Sequence, residues 1–127
     1  MAGNLTDYLE DKLIDHFLGT TSYTMPADVY VALFTVAPSD AGGGTEVTGG
    51  SYARKIATFT AASGGATSND SNIDFTGMPA TTTVAIGIFD AITSGNMLLH
   101  GTLTTNKITD AGDTLRIATG DLDISIN

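Results

Sequence analysis

The segment from residue 28 to residue 60 constrains the fold most, because two apolar stretches flank a glycine-rich connector. Residues 29–36 are β-branched and aromatic with apolar side chains on both faces, which predicts a central β-strand. Pro38 ends this strand, and five glycines follow by residue 50. Glycine adopts many backbone conformations, so no regular element is expected in the connector. A strand returns at residues 52–60, which leaves the connector as a long loop or a mobile hairpin tip.

Strand patterns also dominate the rest of the chain. They occur at residues 73–75, 83–92, 97–103, 114–118 and 121–127, whereas residues 61–72 form a second loose connector. The turn at residues 94–96 predicts a hairpin between the middle pair. In the last strand Leu122, Ile124 and Ile126 are expected to face inward. The short connections indicate antiparallel pairing and a mainly β fold, a single antiparallel β-sandwich or jelly-roll-like domain with one N-terminal amphipathic helix.

That helix is expected at about residues 5–18. Leucines recur every four residues at Leu5, Leu9 and Leu13, Asn4 can cap the start, and Gly19 can end the helix. Two packing partners remain open, the sheet of the same chain or a neighbouring subunit. A linker at about 19–27 would lead into a β-domain at about 28–127, with residues 1–127 forming one domain.

Charge and composition exclude several function classes. The formal net charge of −9 would repel nucleic-acid backbones, so direct DNA or RNA binding is not expected. Neither an apolar run of about 20 residues nor a basic region followed by an apolar core is present, so no membrane span and no secretory signal are expected. The absence of cysteine excludes disulfides and thiolate metal sites, and stability must come from packing, strand pairing or assembly.

Residues 70–74 match the first half of a calcium-binding loop, with Asp70, Asn72 and Asp74 at alternate positions. Phe75 stands where the pattern needs glycine, and Thr81 where it needs a glutamate. A solvated turn is therefore favoured, and no metal ligand is assigned.

The other acids and the two histidines do not select an active site. The pair Asp110 and Asp113 is typical of a turn. The pair Asp121 and Asp123 is typical of the solvent-exposed face of a strand. His16 and His100 are isolated in sequence, and the glycines at 42–44 lack a phosphate-loop pattern. No enzyme, catalytic residue or cofactor is expected. An enzyme would require two or more acids and a histidine to converge in one pocket, and no such cluster is predicted.

Three stretches resemble those of small virion proteins of tailed bacteriophages, and together they span nearly the whole chain. They are DVYVALFTVAPSDAGGGTEVTGGSYARKIATFT, GIFDAITSGNMLLHGTLT and DTLRIATGDLDISIN. The blocks Tyr52-Ala53-Arg54 and Gly87-Ile88-Phe89-Asp90 carry most of the similarity. Such proteins combine a leucine-rich N-terminal helix with a C-terminal β-hairpin, and they are described as tail-fibre-like or as capsid cement proteins.

The resemblance implies a non-enzymatic virion structural protein made in the bacterial host cytoplasm. Its first implication is a capsid cement or decoration subunit that binds the major capsid protein and assembles with itself, most often as a trimer. A tail-fibre, tail or baseplate protein is the alternative, with other virion proteins as partners. A third class, a carbohydrate-binding β-sandwich, would need exposed aromatic platforms such as Tyr23 or Tyr52.

The sequence pattern alone suggests which residues could contact another chain during assembly. The candidates are the helix leucines, two glycines of the connector, and a tyrosine and an arginine beside it: Leu5, Leu9, Leu13, Gly43, Gly44, Tyr52 and Arg54. Arg54 is a cation next to a permissive loop in an acidic chain, so it is expected either to form an ion pair or interface contact, or to hold a nearby loop carbonyl.

Overall fold

A computed structural model describes residues 4–126, and within that range the chain forms one α-helix and ten β-strands. In chain order they are β1 (Asn4–Leu5), α1 (Asp7–Phe17), β2 (Val29–Val36), β3 (Thr45–Glu46), β4 (Lys55–Ala57), β5 (Ala66–Ser68), β6 (Ile73–Met78), β7 (Thr81–Phe89), β8 (Met97–Thr109), β9 (Asp113–Ile117) and β10 (Asp123–Ser125).

Strand β2 lies at the centre of the larger sheet, as its two apolar faces predict. Strand β7 pairs antiparallel with one edge of β2, while β4 and β3 pair with the start and the end of the other edge. Strand β8 lies beyond β7, and β1 adds two residues outside it. Val31, Ala32, Leu33 and Phe34 are all buried, so successive side chains of β2 are covered on both faces of the sheet.

A second layer covers one face of this sheet. It consists of two antiparallel pairs, β6 with β9 and β5 with β10. The main core lies between the layers and includes Leu33 and Ile86 from the large sheet and Phe75, Met78 and Leu122 from the second layer. The prediction of a mainly β, sandwich-like domain with one N-terminal helix is confirmed.

The hairpin between β7 and β8 is confirmed at the predicted turn. Ser94 and Gly95 both have positive φ angles, and the Asp90 carboxylate accepts a 2.7 Å hydrogen bond from the backbone N–H of Asn96. Strand β8 extends six residues past its predicted end and is irregular there, because residues 103–106 lie opposite Val84 alone. This continuation is polar and rich in threonine, so it lacks the alternation of apolar and polar residues by which a strand is predicted.

The start of the helix differs from the prediction. Thr6, not Asn4, is the N-cap, because Asn4 and Leu5 pair with β8 as a strand. The Thr6 hydroxyl accepts from the N–H of Leu9 and donates to the carbonyl of Met97, which ties the helix to β8. Gly19 follows the helix with φ +79°, as predicted for a C-terminal stop. At eleven residues, this one helix among residues 4–126 is too short and too polar to cross a membrane.

The glycine-rich connector is not the irregular loop that its composition predicts. Thr45 and Glu46 pair with β2, and the next residue, Val47, is 2% exposed and donates a backbone hydrogen bond to Leu33. Gly50 lies against the backbone of Gly77 in β6, where an added Cβ would be 2.5 Å from the carbonyl oxygen. The glycines here permit close packing, and the segment folds back onto both layers.

Two further expectations need correction. The connector at residues 61–72 contains strand β5, which is reached through a two-residue turn in which Gly64 and Gly65 have positive φ angles. In the last segment Leu122 is buried and Ile124 is half-buried, but Ile126 is 53% exposed and does not face the core.

Candidate assembly interface

Arg54 is buried inside its own chain. Its guanidinium forms a bidentate pair with Glu46 over 3.0 and 2.9 Å, and Nη1 donates to the carbonyls of Ala91 and Ser94 over 3.0 and 2.8 Å. The guanidinium carbon lies 3.7 Å from the ring centroid of Phe89. Both sequence hypotheses for Arg54 hold within one chain, since it forms an ion pair and also fixes loop carbonyls. A contact between Arg54 and another chain stays a prediction.

The Arg54 contacts join three separate segments of the fold. Glu46 belongs to β3, Phe89 ends β7, and Ala91 and Ser94 lie in the following turn. A buried guanidinium needs partners for its donors, and here four N–H···O contacts and an aromatic face supply them. An open cleft of about 360 Å³ lies beside this network, between the connector and the 90–96 turn.

Tyr52 completes the network from the core side. Its hydroxyl donates to Glu46 over 2.7 Å and accepts from the backbone N–H of Leu33 over 2.9 Å, while its ring stacks on Phe75. Burial, together with the hydrogen bond to the Glu46 carboxylate, raises the pKa of the Tyr52 hydroxyl well above its usual value near 10. A ring stacked on the core in this way is not an exposed platform for a sugar.

Because the folded chain keeps Tyr52 neutral, its stability should fall in alkali. The unfolded chain ionises this hydroxyl near pH 10, so its contribution is complete below pH 10 and is lost as the pH rises towards the raised pKa of the folded state. We expect a Tyr52→Phe variant to decline less steeply above pH 10, by about 1 kcal/mol per pH unit, as measured by urea unfolding at several pH values.

Tyr23→Phe is the matched control for this titration. The pKa of Tyr23 is also raised, chiefly by burial, but the Tyr52 hydroxyl is in addition hydrogen-bonded to the Glu46 carboxylate, so removing the Tyr23 hydroxyl should change the alkaline slope less. Equal slopes for wild type and Tyr52→Phe would show that Tyr52 ionises in the folded state as it does in the unfolded chain.

The two connector glycines differ in their surroundings. Both are exposed, but an added Cβ on Gly44 would lie 2.7 Å from the Val36 carbonyl, whereas no described atom lies within 4 Å of one on Gly43. Gly43 therefore offers open backbone at the surface, and Gly44 supports the turn from β2 into β3. A partner chain at either glycine remains a prediction.

The helix leucines face their own chain more than the solvent. Leu9 is buried, Leu5 and Leu13 are half-buried, and the backbone of Leu5 pairs with Leu99 of β8. Of the two packing partners left open by the sequence, the structure shows the sheet of the same chain. The exposed apolar residues of this region are different ones, Ile14, Phe17 and Leu18, and their positions at i, i+3 and i+4 are the signal that could have identified them.

One side-chain cluster brings three acids together and places a histidine beside one of them. His100 Nε2 lies 2.7 Å from Asp40, and the carboxylates of Asp7, Glu10 and Asp40 come within 4.8 Å of one another at the start of α1. Sequence reasoning missed it because residues 40 and 100 are distant in the chain, with a separation of 60 residues. The three carboxylates could hold a cation, but they are exposed and also suit the helix N-terminus.

The partial calcium loop does not converge on one point. Each of its three polar residues bonds to a different part of the chain. Asp70 accepts from the hydroxyl of Thr58, and the Asn72 amide oxygen accepts from the backbone N–H of Thr119 over 2.9 Å. Asp74 forms an ion pair with an arginine. That residue is Arg116, whose hydrogen bonds lower the pKa of Asp74.

The pair Asp110 and Asp113 forms a turn, as predicted. The N–H of Asp110 donates to the Asp113 carboxylate over 2.8 Å, and the N–H of Asp113 donates to the Asp110 carbonyl over 3.0 Å. Asp121 and Asp123 are exposed, which agrees with a solvent-exposed face.

Comparison with known proteins gives one family. The family model described as Podophage GP4 fiber I protein gp80 matches residues 4–125, a range that includes the helix and every strand among the described residues. No curated protein matches the chain. The resemblance to phage virion proteins of the tail-fibre-like group is thereby confirmed.

Proposed function

The chain belongs to the Podophage GP4 fiber I protein gp80 family, and from this membership we propose that it is a non-enzymatic structural subunit of a phage tail fibre. The observation that carries the proposal is the extent of the match, residues 4–125, because it covers the whole sandwich and the docked helix together. A phage fibre-type structural protein fits location in the virion, and we propose that residues 1–127 act as one domain.

The side-chain chemistry supports a structural role. The most buried cation, Arg54, and the buried hydroxyl of Tyr52 bond to groups of their own chain, where they hold segments together. His100 bonds to Asp40 through Nε2, and no serine or threonine hydroxyl among residues 4–126 is hydrogen-bonded to it.

The family favours the tail-fibre alternative over the capsid cement reading, which was the first implication of the sequence. The matching description names a fibre protein, whereas nothing in it refers to the capsid. We propose that the partners are other virion proteins of the fibre and that copies of the chain assemble together, since most soluble oligomers are symmetric assemblies of one chain.

Phage particles that lack this chain test the proposal directly. We expect cryo-EM maps of such particles to lose a fibre, and we expect their capsids to rupture at the same temperature and after the same osmotic shock as wild-type capsids. Supplying the chain from a plasmid during infection should restore the fibre density.

The opposite pattern would contradict the fibre assignment. Intact fibres together with capsids that rupture earlier, and density lost from the capsid surface, would establish a cement protein instead. Unchanged particles would exclude a structural role in the virion.

A further inference from the structure

The outer face of α1 has two chemically distinct ends. Its C-terminal end is apolar and its N-terminal end is acidic, and the face comprises Ile14, Phe17, Leu18, Asp7, Glu10 and Asp11. The three apolar residues are 57%, 75% and 78% exposed, and the three acids are also exposed. The spacing places Asp7, Asp11, Ile14 and Leu18 along one stripe of the helix.

Clustered exposed apolar side chains of this size mark interaction surfaces in soluble proteins. The helix docks on the sheet through Leu9 and through the Thr6 hydroxyl, not through these three. Phe17 has one ring contact, edge-on to the neighbouring His16 with the centroids 5.4 Å apart. The following segment is held beside this end of the helix, since the N–H of Tyr23 donates to His16 Nδ1 over 3.1 Å. Met25, two residues further on, is 80% exposed and adds a fourth apolar side chain to the region.

Charge argues against a second copy of this chain as the occupant. The helix carries four carboxylates and one lysine, and the whole chain has a formal net charge of −9. Two parallel copies of the face would oppose acid to acid, and two antiparallel copies would oppose the acidic end to Phe17 and Leu18. Both arrangements bury unpaired charge, which opposes association.

We propose that the outer face of α1 docks an amphipathic segment of another virion protein, with apolar residues at one end and lysine or arginine at the other. The apolar end covers Ile14, Phe17 and Leu18, while the basic end pairs with Asp7, Glu10 and Asp11. This proposal rests on the proposed function, because it assigns the surface through which a fibre subunit contacts a different protein of the particle.

The first test uses the full chain and two synthetic helical peptides of equal length, one built from leucine and lysine and the other from leucine and glutamate. We expect the lysine peptide to bind in isothermal titration, with affinity that falls as salt rises, and the glutamate peptide not to bind. The double variant F17S/L18S should bind the lysine peptide at least about tenfold more weakly.

Ile108→Ser is the matched control, since Ile108 is 79% exposed on β8 and its removal leaves the charge unchanged. Circular dichroism should show that all three proteins remain folded. Equal binding by wild type and F17S/L18S would overturn the inference, because attraction would then depend on net charge alone. Self-association of the wild type that F17S/L18S abolishes would also overturn it, in favour of a second copy.

The particle separates this inference from the proposed function. Particles complemented with wild-type chain should contain it, and those complemented with F17S/L18S should not, whereas I108S should be incorporated normally. If wild-type chain is absent from particles, the proposed function fails. If F17S/L18S is incorporated as well as wild type, only the docking face fails.

Discussion

Replacing Arg54 with methionine is expected to lower the free energy of unfolding by about 3 kcal/mol. The substitution keeps an apolar stem beside Phe89 but removes the guanidinium, so Glu46 loses its bidentate partner and two turn carbonyls lose their donor. Removing one partner of a buried ion pair lowers the free energy of unfolding by about 3–5 kcal/mol. We expect the lower end of this range because the Glu46 side chain is 27% exposed and can be partly hydrated after the substitution. Denaturant unfolding followed by circular dichroism measures the change.

Arg116→Met provides a matched control within the same chain. Arg116 also forms a bidentate pair, with Asp74 over 2.7 and 3.0 Å, but its side chain is 58% exposed compared with 9% for Arg54. Exposed ion pairs contribute little to stability, so this variant should unfold at nearly the same denaturant concentration as wild type. If the two arginine variants are equally stable, the Arg54 network does not hold the turn to β3.

A double variant tests which group causes the loss of stability in Arg54→Met. Adding Glu46→Gln to Arg54→Met removes the carboxylate that would otherwise remain without its cation. We expect the double variant to be more stable than Arg54→Met alone, because an uncompensated charge accounts for much of the loss when one partner of a buried pair is removed.

The sequence predicted elements whose signal is local. Strand β2 was expected at residues 29–36 and occupies them, because its β-branched and aromatic residues favour a pleated, doubly covered position. The turn at residues 94–96 and the stop at Gly19 were also predicted, since each depends on a backbone conformation that few residues adopt readily.

Contacts between distant residues account for the errors. Thr6 caps the helix instead of Asn4 because β8, more than ninety residues later, accepts the preceding residues as a strand. The partners of Arg54 lie 8 to 40 residues away, and no spacing rule connects them. Asn69 is similar: its buried amide bonds to the carbonyl of Ala118 and to the N–H groups of Gly120 and Leu122, and so fixes the last segment over the core.

The sequence selected two residues of the Arg54 network, although their proposed contact with another chain stays a prediction. Arg54 and Tyr52 were selected because they flank the connector, and the structure shows that both bond to Glu46, which the pattern did not single out. Glu46 could have been selected by charge, as an acid eight residues before the only arginine in this part of the chain. The sequence did not show that this contact would be internal.

Gly50→Ala is expected to lower the free energy of unfolding by about 3 kcal/mol, although it adds one methyl group to a glycine-rich segment. Gly50 has φ +54°, a conformation that costs alanine about 1–2 kcal/mol. The added Cβ would also lie 2.5 Å from the carbonyl oxygen of Gly77 and 3.0 Å from the nitrogen of Pro79. These are backbone atoms that cannot rotate away, so the overlap adds a further cost of about 1–3 kcal/mol.

Gly43→Ala separates the two contributions. Its φ of +77° carries a similar conformational cost, but no described atom lies within 4 Å of the added Cβ, so the loss should be only about 1–2 kcal/mol. Denaturant unfolding measures both, and amide hydrogen exchange at Ser51, whose N–H donates to Gly77 over 2.7 Å, should increase in Gly50→Ala alone. Equal losses and unchanged exchange would mean that the connector is as mobile as its composition predicts, and that the contact with β6 does not form in solution.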